Sequence, residues 1–157
     1  MLKNKTHIFF VAGIFALLLA CNKTDECNHS TIAGVNYALQ KNASSIVNRV
    51  IISPFENPDD TLYNSGAASA YIKTLPLSLS SDTTAFLFIA ADSIDTTTDI
   101  IVFYHSMKVD FLDEACGFVP EFLLDSVKYT GQNIDSLFWL SKNVTTDIEV
   151  ENIKITY

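Results

Sequence analysis

The segments "AFLFIA" (residues 85–90) and "IIVFYH" (residues 100–105) decide the fold class of this chain. Both are apolar at nearly every position and rich in β-branched or aromatic side chains, which favour strands. A strand that is apolar on both faces is typical of the centre of a sheet that is covered on both sides. The sequence therefore predicts that these two segments are central β-strands.

Other short segments alternate between apolar and polar residues with the period of two that a half-buried strand requires. In "NIKITY", at the C-terminus, Ile153, Ile155 and Tyr157 share one face, and "KVDFLD" (residues 108–113) alternates in the same way. Clusters of Pro, Gly, Asn, Asp and Ser separate the segments, and no convincing amphipathic helix occurs. Residues 31–157 are therefore predicted to form one all-β domain, a two-sheet antiparallel sandwich of the immunoglobulin-like or a related Greek-key type.

The N-terminal 20 residues have the composition of a secretory leader. Lys3 and Lys5 precede an apolar run over residues 8–20, which is shorter than the roughly 20 residues that a membrane-spanning helix needs. Leu18, Leu19, Ala20 and Cys21 resemble a bacterial lipobox, in which the cysteine thiol is acylated, the leader is cut immediately before that cysteine, and the new N-terminus is acylated too. This resemblance implies a lipoprotein signal peptide at residues 1–20 and fatty acyl (palmitate-type) attachment at Cys21. An ordinary cleaved signal with an incidental cysteine is the alternative.

If Cys21 carries lipid, Cys27 and Cys116 are the remaining two of the chain's three cysteines. In an oxidising envelope compartment such a pair is expected to form a disulfide, with two buried free thiols as the alternative. Residues 21–30 then form a short polar tether between the lipid and the domain.

Charge excludes two classes of partner. Loss of residues 1–20 leaves 137 residues with eight Lys or Arg against 18 Asp or Glu, a formal charge of −10. So acidic a chain is not expected to bind nucleic acid or the heads of anionic lipids. Contact with the membrane is expected through the N-terminal lipid.

The chain resembles a family of uncharacterised lipoproteins of Bacteroidota that is defined only as a domain of unknown function. The residues that carry the resemblance are Cys21, the Glu26-Cys27 step, "LPLSLSSDTTAFLF" (75–88), "ACGF" (115–118) and "NIKITY" (152–157). The resemblance implies a mostly β protein of the cell envelope, with no assigned activity and no catalytic residue to transfer. It implies an outer-membrane lipoprotein, on the periplasmic face or on the cell surface.

Recognisable catalytic, cofactor and metal motifs are missing from the sequence, so we predict no cofactor, no metal site and no catalytic residue. His29 and His105 lack metal-binding spacing, and His105 is expected to be a structural residue at a sheet margin. Asp92, Asp95 and Asp99 could offer oxygen ligands to calcium but lack the spacing of an EF-hand loop. A solvated acidic turn is the favoured interpretation.

One segment is a candidate contact surface. In "NIDSLFWLSK" one face carries Ile134, Phe138 and Leu140, and the other carries Leu137 and Trp139. If the first face packs in the core, Leu137 and Trp139 point outward as a partner contact; the alternative is that a loop or sheet covers them.

Together these features favour a non-enzymatic, lipid-anchored structural or interaction module with a protein or glycan partner. The alternative is a glycan-processing or other hydrolytic envelope enzyme whose acidic residues pair only in the fold.

Overall fold

The computed structural model describes residues 27, 31–66 and 74–157, and these form β-strands without any helix. Their bounds are β1 Gly34–Gln40, β2 Arg49–Pro54, β3 Tyr63–Asn64, β4 Thr74–Pro76, β5 Thr83–Ala91, β6 Thr96–Asp113, β7 Gly117–Tyr129, β8 Ser136–Trp139, β9 Asn143–Val144 and β10 Ile153–Thr156. The predicted leader, the predicted lipid-bearing Cys21 and all of the tether except Cys27 lie outside the described residues. Within the described ranges, no helix could span a membrane.

The strands form two sheets, which confirms the predicted all-β two-sheet arrangement. One sheet has four strands in the order β4-β1-β10-β8, and the other has six in the order β3-β2-β5-β6-β7-β9. Among the described pairs, β1 and β10 are parallel and the others antiparallel. The first and last described strands therefore lie side by side, and the chain passes repeatedly between the sheets.

β5 and β6 contain the two apolar segments and lie at the centre of the six-stranded sheet, as predicted. Their core-facing side chains, including Phe86, Phe88 and Phe103, are buried. The opposite face, which carries Leu87 and Val102, is only half-buried. The prediction of a central position is confirmed, whereas the outer face of this sheet is less covered than the apolar pattern indicated.

The core lies between the two sheets. Val35, Leu75, Ile153 and Ile155 of the four-stranded sheet join the buried phenylalanines of the other sheet in one apolar cluster. The ring of Tyr157 packs edge to face on Phe88, at 5.6 Å between centroids. The predicted alternation of "NIKITY" is confirmed, because Ile153 and Ile155 are fully buried.

Two buried asparagines join the first strand to the last part of the chain. The backbone N–H of Asn36 donates to Asn152 Oδ1 (2.9 Å), and the Asn152 N–H donates to the Asn36 carbonyl (2.8 Å). Asn36 Nδ2 donates to the carbonyls of Asp147 and Val150 (3.0 Å each), and the Thr74 hydroxyl donates to Asn36 Oδ1 (2.6 Å). These bonds satisfy backbone groups that would otherwise be buried without partners.

β6 and β7 form a hairpin that is much longer than the rest of the sheet. β6 has 18 residues and β7 has 13, whereas strands usually have 3–10 residues. Buried and half-buried residues alternate in β6 as far as His105, and residues 106–112 are all exposed. The segment from 106 to 113 extends roughly 25 Å at 3.4 Å per residue. We call residues 106–121, which include the connecting turn, the arm.

Candidate functional site

The tip of the arm carries the predicted disulfide. Cys116 lies in the turn between β6 and β7 and is bonded to Cys27, with the two Cα atoms 4.8 Å apart. The Cys116 N–H donates to the carboxylate of Asp113 (2.6 Å), and Gly117 completes the turn with a φ of 69°. The left-handed conformation at Gly117 suits a residue without Cβ. Cys27, the one described residue of the predicted tether, is therefore bonded to the arm tip.

One face of the arm is apolar and uncovered. It carries Met107, Val109 and Phe111 from β6 and, opposite them, Phe118 and Pro120 from β7. The side chains of Phe118, Val109 and Phe111 are 73%, 59% and 52% exposed, and the Phe111 and Phe118 rings meet edge to face at 5.3 Å. This face continues the core-facing side of the hairpin beyond the last residues that the four-stranded sheet covers.

The other face of the arm carries charged side chains around Val119, which is buried. Lys108 Nζ lies 2.7 Å from the carboxylate of Glu121, its cross-strand neighbour, and Asp110 and Leu112 lie on the same side. The hydrogen bond to Glu121 and then its negative charge raise the pKa of Lys108. The arm is therefore a two-stranded ribbon with an uncovered apolar face, aromatic near its tip, and an opposite face on which charged side chains surround one buried valine.

Residues 48–157 match a family described as a family of unknown function (DUF6452). The chain belongs to this family. No curated protein and no solved structure matches it. The predicted resemblance to an uncharacterised family is thereby confirmed at this level, and the match assigns no activity. The matched region of this DUF6452 protein includes the arm and Cys116, whereas Cys27 and β1 precede it.

His105, which was expected to be a structural residue at a sheet margin, is buried inside the DUF6452 domain. Its Nε2 lies 2.9 Å from the Thr84 hydroxyl, and its ring packs edge to face on Phe122 at 5.3 Å. Burial lowers the pKa of His105, although the charges of Asp82 and Asp125 oppose that shift. Within the described part of the chain, Nδ1 has no hydrogen-bond partner. The orienting carboxylate of a catalytic triad is therefore not provided by those residues.

Two shallow grooves lie on the described surface. A groove of about 350 Å³ flanks the base of the arm, and its lining includes Lys108, Glu121 and Asn143. A groove of about 480 Å³ lies beside Thr84, and its lining includes Glu56. Glu121 and Glu56 are the single carboxylates that line their respective grooves. Neither groove therefore offers the convergent carboxylate pair of a glycosidase.

Asp99 is a buried structural carboxylate, so its predicted place in a solvated acidic turn is wrong. It lies in β6 and accepts hydrogen bonds from the N–H groups of Gln132 (2.6 Å), Asn133 (2.7 Å) and Ile134 (3.1 Å) and from the Thr130 hydroxyl (2.6 Å). Burial raises the pKa of Asp99, but these bonds outweigh it and the net pKa is lowered. Strand β6 begins three residues before Asp99, which turns this carboxylate inward.

Asp92 and Asp95 remain in the exposed turn between β5 and β6. The Asp92 carboxylate accepts the N–H groups of Ile94 (2.6 Å) and Asp95 (2.7 Å), and these bonds lower its pKa. The three acids therefore do not form one cluster. Across residues 31–66 and 74–157, together with Cys27, no group of three His, Cys, Asp or Glu side chains could hold a metal ion.

The partner contact predicted at Leu137 and Trp139 is also wrong, and the alternative, in which the sheet covers these side chains, is the one observed. Leu137 and Trp139 pack against the core, while Phe138 and Leu140 are exposed. Pairing with β10 decides this orientation, because Trp139 lies opposite Ile153 and Leu137 opposite Ile155, both of which are buried. Cross-strand neighbours share a face, so the residues of β8 that face the core are those opposite the buried residues of "NIKITY".

The arm is the feature that sequence reasoning missed. "IIVFYH" and "KVDFLD" were expected to be separate strands, whereas both belong to β6. A signal was present, because residues 100–109 contain no Gly, Pro, Asn or Asp that would end a strand.

Proposed function

We propose that this protein is a lipid-anchored, non-enzymatic module of the bacterial cell envelope that presents one end of its β-sandwich to a protein or glycan partner. The observation that carries the proposal is the disulfide between Cys27 and Cys116. It fixes Cys27, six positions after the lipobox-like Cys21, to the tip of the arm. A lipid at Cys21 would therefore hold the protein by its arm and direct the opposite end away from the membrane.

The end opposite the arm tip is built from loops that support one another. The Asn48 side chain donates to Ser93 (3.2 Å), and the Asn42 side chain donates to Asp135 (2.8 Å). Ile46 and Ile94 are exposed there, Ile94 at 95%. Loops that are held on a rigid sandwich and carry exposed apolar side chains suit contact with a partner. This end replaces Leu137 and Trp139 as the proposed contact surface.

A non-enzymatic role is supported by the surroundings of the candidate catalytic groups. His105 bonds Thr84, whose hydroxyl also accepts the N–H of Ser78 (2.8 Å), so this threonine serves the local turn. The two grooves each have one lining carboxylate, and that of Glu121 is paired with Lys108. These arrangements give neither an activated nucleophile nor an acid and base pair.

Intact mass of the protein purified from its native membrane tests the anchor. We expect a mature chain that begins at Cys21 and carries two or three acyl chains, and a gain of two hydrogens on reduction. Cys21→Ala is the matched variant, because it keeps Cys27 and Cys116 and so leaves the disulfide in place. It should lose the acyl mass and, because cleavage depends on the acylated thiol, keep the leader of residues 1–20. An unacylated wild-type chain in the soluble fraction would refute the proposal.

A further inference from the structure

The uncovered apolar face of the arm is the strongest unexplained surface of the molecule. Its side chains are Met107, Val109, Phe111, Phe118 and Pro120, and they continue the core face of the hairpin. Soluble proteins rarely leave contiguous aromatic and aliphatic side chains exposed on a projecting element unless something covers them. The position of the chain's predicted lipid indicates what covers this one.

We infer that the apolar face of the arm lies in the interface of the bilayer that holds the Cys21 lipid, with Phe111 and Phe118 as the inserted side chains. This inference rests on the lipid anchor proposed above. Cys27 lies six positions after Cys21, and six residue steps span at most about 21 Å. Cys27 is bonded to Cys116, so the arm tip stays within that distance of the acylated residue.

The two phenylalanines are the residues best placed for this contact. Phe118 lies two positions after Cys116, and Phe111 is its cross-strand neighbour. The ion pair of Lys108 and Glu121 lies on the opposite face, where the Lys108 side chain is exposed to water and that of Glu121 is partly covered. An amphipathic element with aromatic side chains on one face and charges on the other suits the plane between lipid heads and acyl chains.

Acidic residues of the arm restrict how deeply the arm can insert into the bilayer and which lipid head groups it can contact. Asp110, Asp113 and Glu114 lie close to the tip, and transfer of their carboxylates into hydrocarbon is unfavourable. The inserted part is therefore confined to the aromatic and aliphatic side chains of one face. Since anionic lipid heads would repel these acids, the lipid that fits is zwitterionic.

Fluorescence quenching in the full lipidated protein tests this inference. The chain has one tryptophan, so Trp139→Phe provides a background without Trp, into which Phe118→Trp or Ile94→Trp is introduced. Ile94 is an exposed apolar residue beyond the opposite end of β6, and β6 is about 55 to 60 Å long at 3.4 Å per residue. Each variant is reconstituted in phosphatidylcholine vesicles with or without bromine on the acyl chains.

Bromine should lower the emission of the Phe118→Trp protein at least about twofold and leave that of the Ile94→Trp protein unchanged. Phe111→Asp, added to Phe118→Trp, should reverse most of the quenching. Leu112→Asp, a neighbouring change on the charged face, should not.

The intact mass of the same samples separates the two proposals. Acylated protein in which the Phe118→Trp variant is not quenched would overturn this inference and leave the anchor standing. The same result with concentration-dependent self-association would assign the apolar face to a second copy of the chain. Equal quenching at both ends would overturn a specific contact of the arm. Absence of acyl chains would overturn both proposals.

Discussion

The two halves of the β6–β7 hairpin carry similar side chains in different surroundings. Ile101 and Phe103 are fully buried, whereas Val109 and Phe111, further along the same face of β6, are more than half exposed. Ile101 and Phe103 belong to the core cluster that the four-stranded sheet completes, whereas no residue of the arm belongs to it. An apolar alternation therefore specifies which side chains of a strand share a face, but it does not specify whether another element will cover that face.

The disulfide gives the largest expected effect on stability, because it is the covalent cross-link at the tip of the uncovered half. The double change Cys27→Ser and Cys116→Ser should lower the free energy of unfolding by up to about 4 to 5 kcal/mol, from loss of a cross-link over a sequence separation of 89. Urea unfolding, set beside the reduced wild-type protein as control, measures the difference. A loss below about 1 kcal/mol would show that the cross-link contributes little to the fold and serves mainly to position the N-terminus.

A matched pair of phenylalanines tests the comparison itself. Phe103→Ala should lower the free energy of unfolding by about 3 to 5 kcal/mol, because Phe103 is fully buried against Phe86. Phe111→Ala should lower it by less than about 1 kcal/mol, because its side chain is largely exposed. Denaturation of both variants in the absence of lipid gives the values. Equal losses would mean that the arm is covered in solution.

Asp99 provides a test of polar stabilisation in the buried half of the hairpin. Asp99→Asn should lower the free energy of unfolding by about 3 kcal/mol, because the amide cannot accept all the hydrogen bonds that the carboxylate accepts. The lowered pKa of Asp99 means that its contribution is present above about pH 4 and is lost as the pH falls below that value. Acid titration of Tm should show a weaker dependence in the variant, and Asp92→Asn in the exposed turn should have the smaller effect on stability.

His105 marks the boundary between the two halves and gives the smallest expected effect. Its pKa is lowered by burial, so the unfolded chain binds the proton more readily than the folded one. Stability is therefore full above about pH 6.5 and decreases as the pH falls toward the folded pKa. His105→Gln should reduce the loss of Tm between about pH 7 and pH 5. An unchanged slope would mean that His105 does not contribute to the pH dependence.

Most of the fold was predictable, because burial follows the apolar pattern where both sheets are present. The central position of β5 and β6 and the faces of β10 followed from apolar runs and alternation. The candidate site was predictable only in part. The disulfide was expected only because the resemblance of Cys21 to a lipidated cysteine left Cys27 and Cys116 as a pair. The partner contact predicted on β8 was wrong, because the orientation of a short edge strand depends on its partner.

The amino-acid sequence alone was enough to predict an all-β chain with two sheets, because the apolar periodicity of a strand is a local property. It also offered Cys27 and Cys116 as a candidate pair, once Cys21 was assigned to the lipid. Only the tertiary structure decided that β6 extends beyond the second sheet, that Asp99 is buried, and that the disulfide lies at the tip of the arm. Each of these depends on where one sheet ends relative to the other. That relation arises from contacts between residues distant in sequence, which no local pattern encodes.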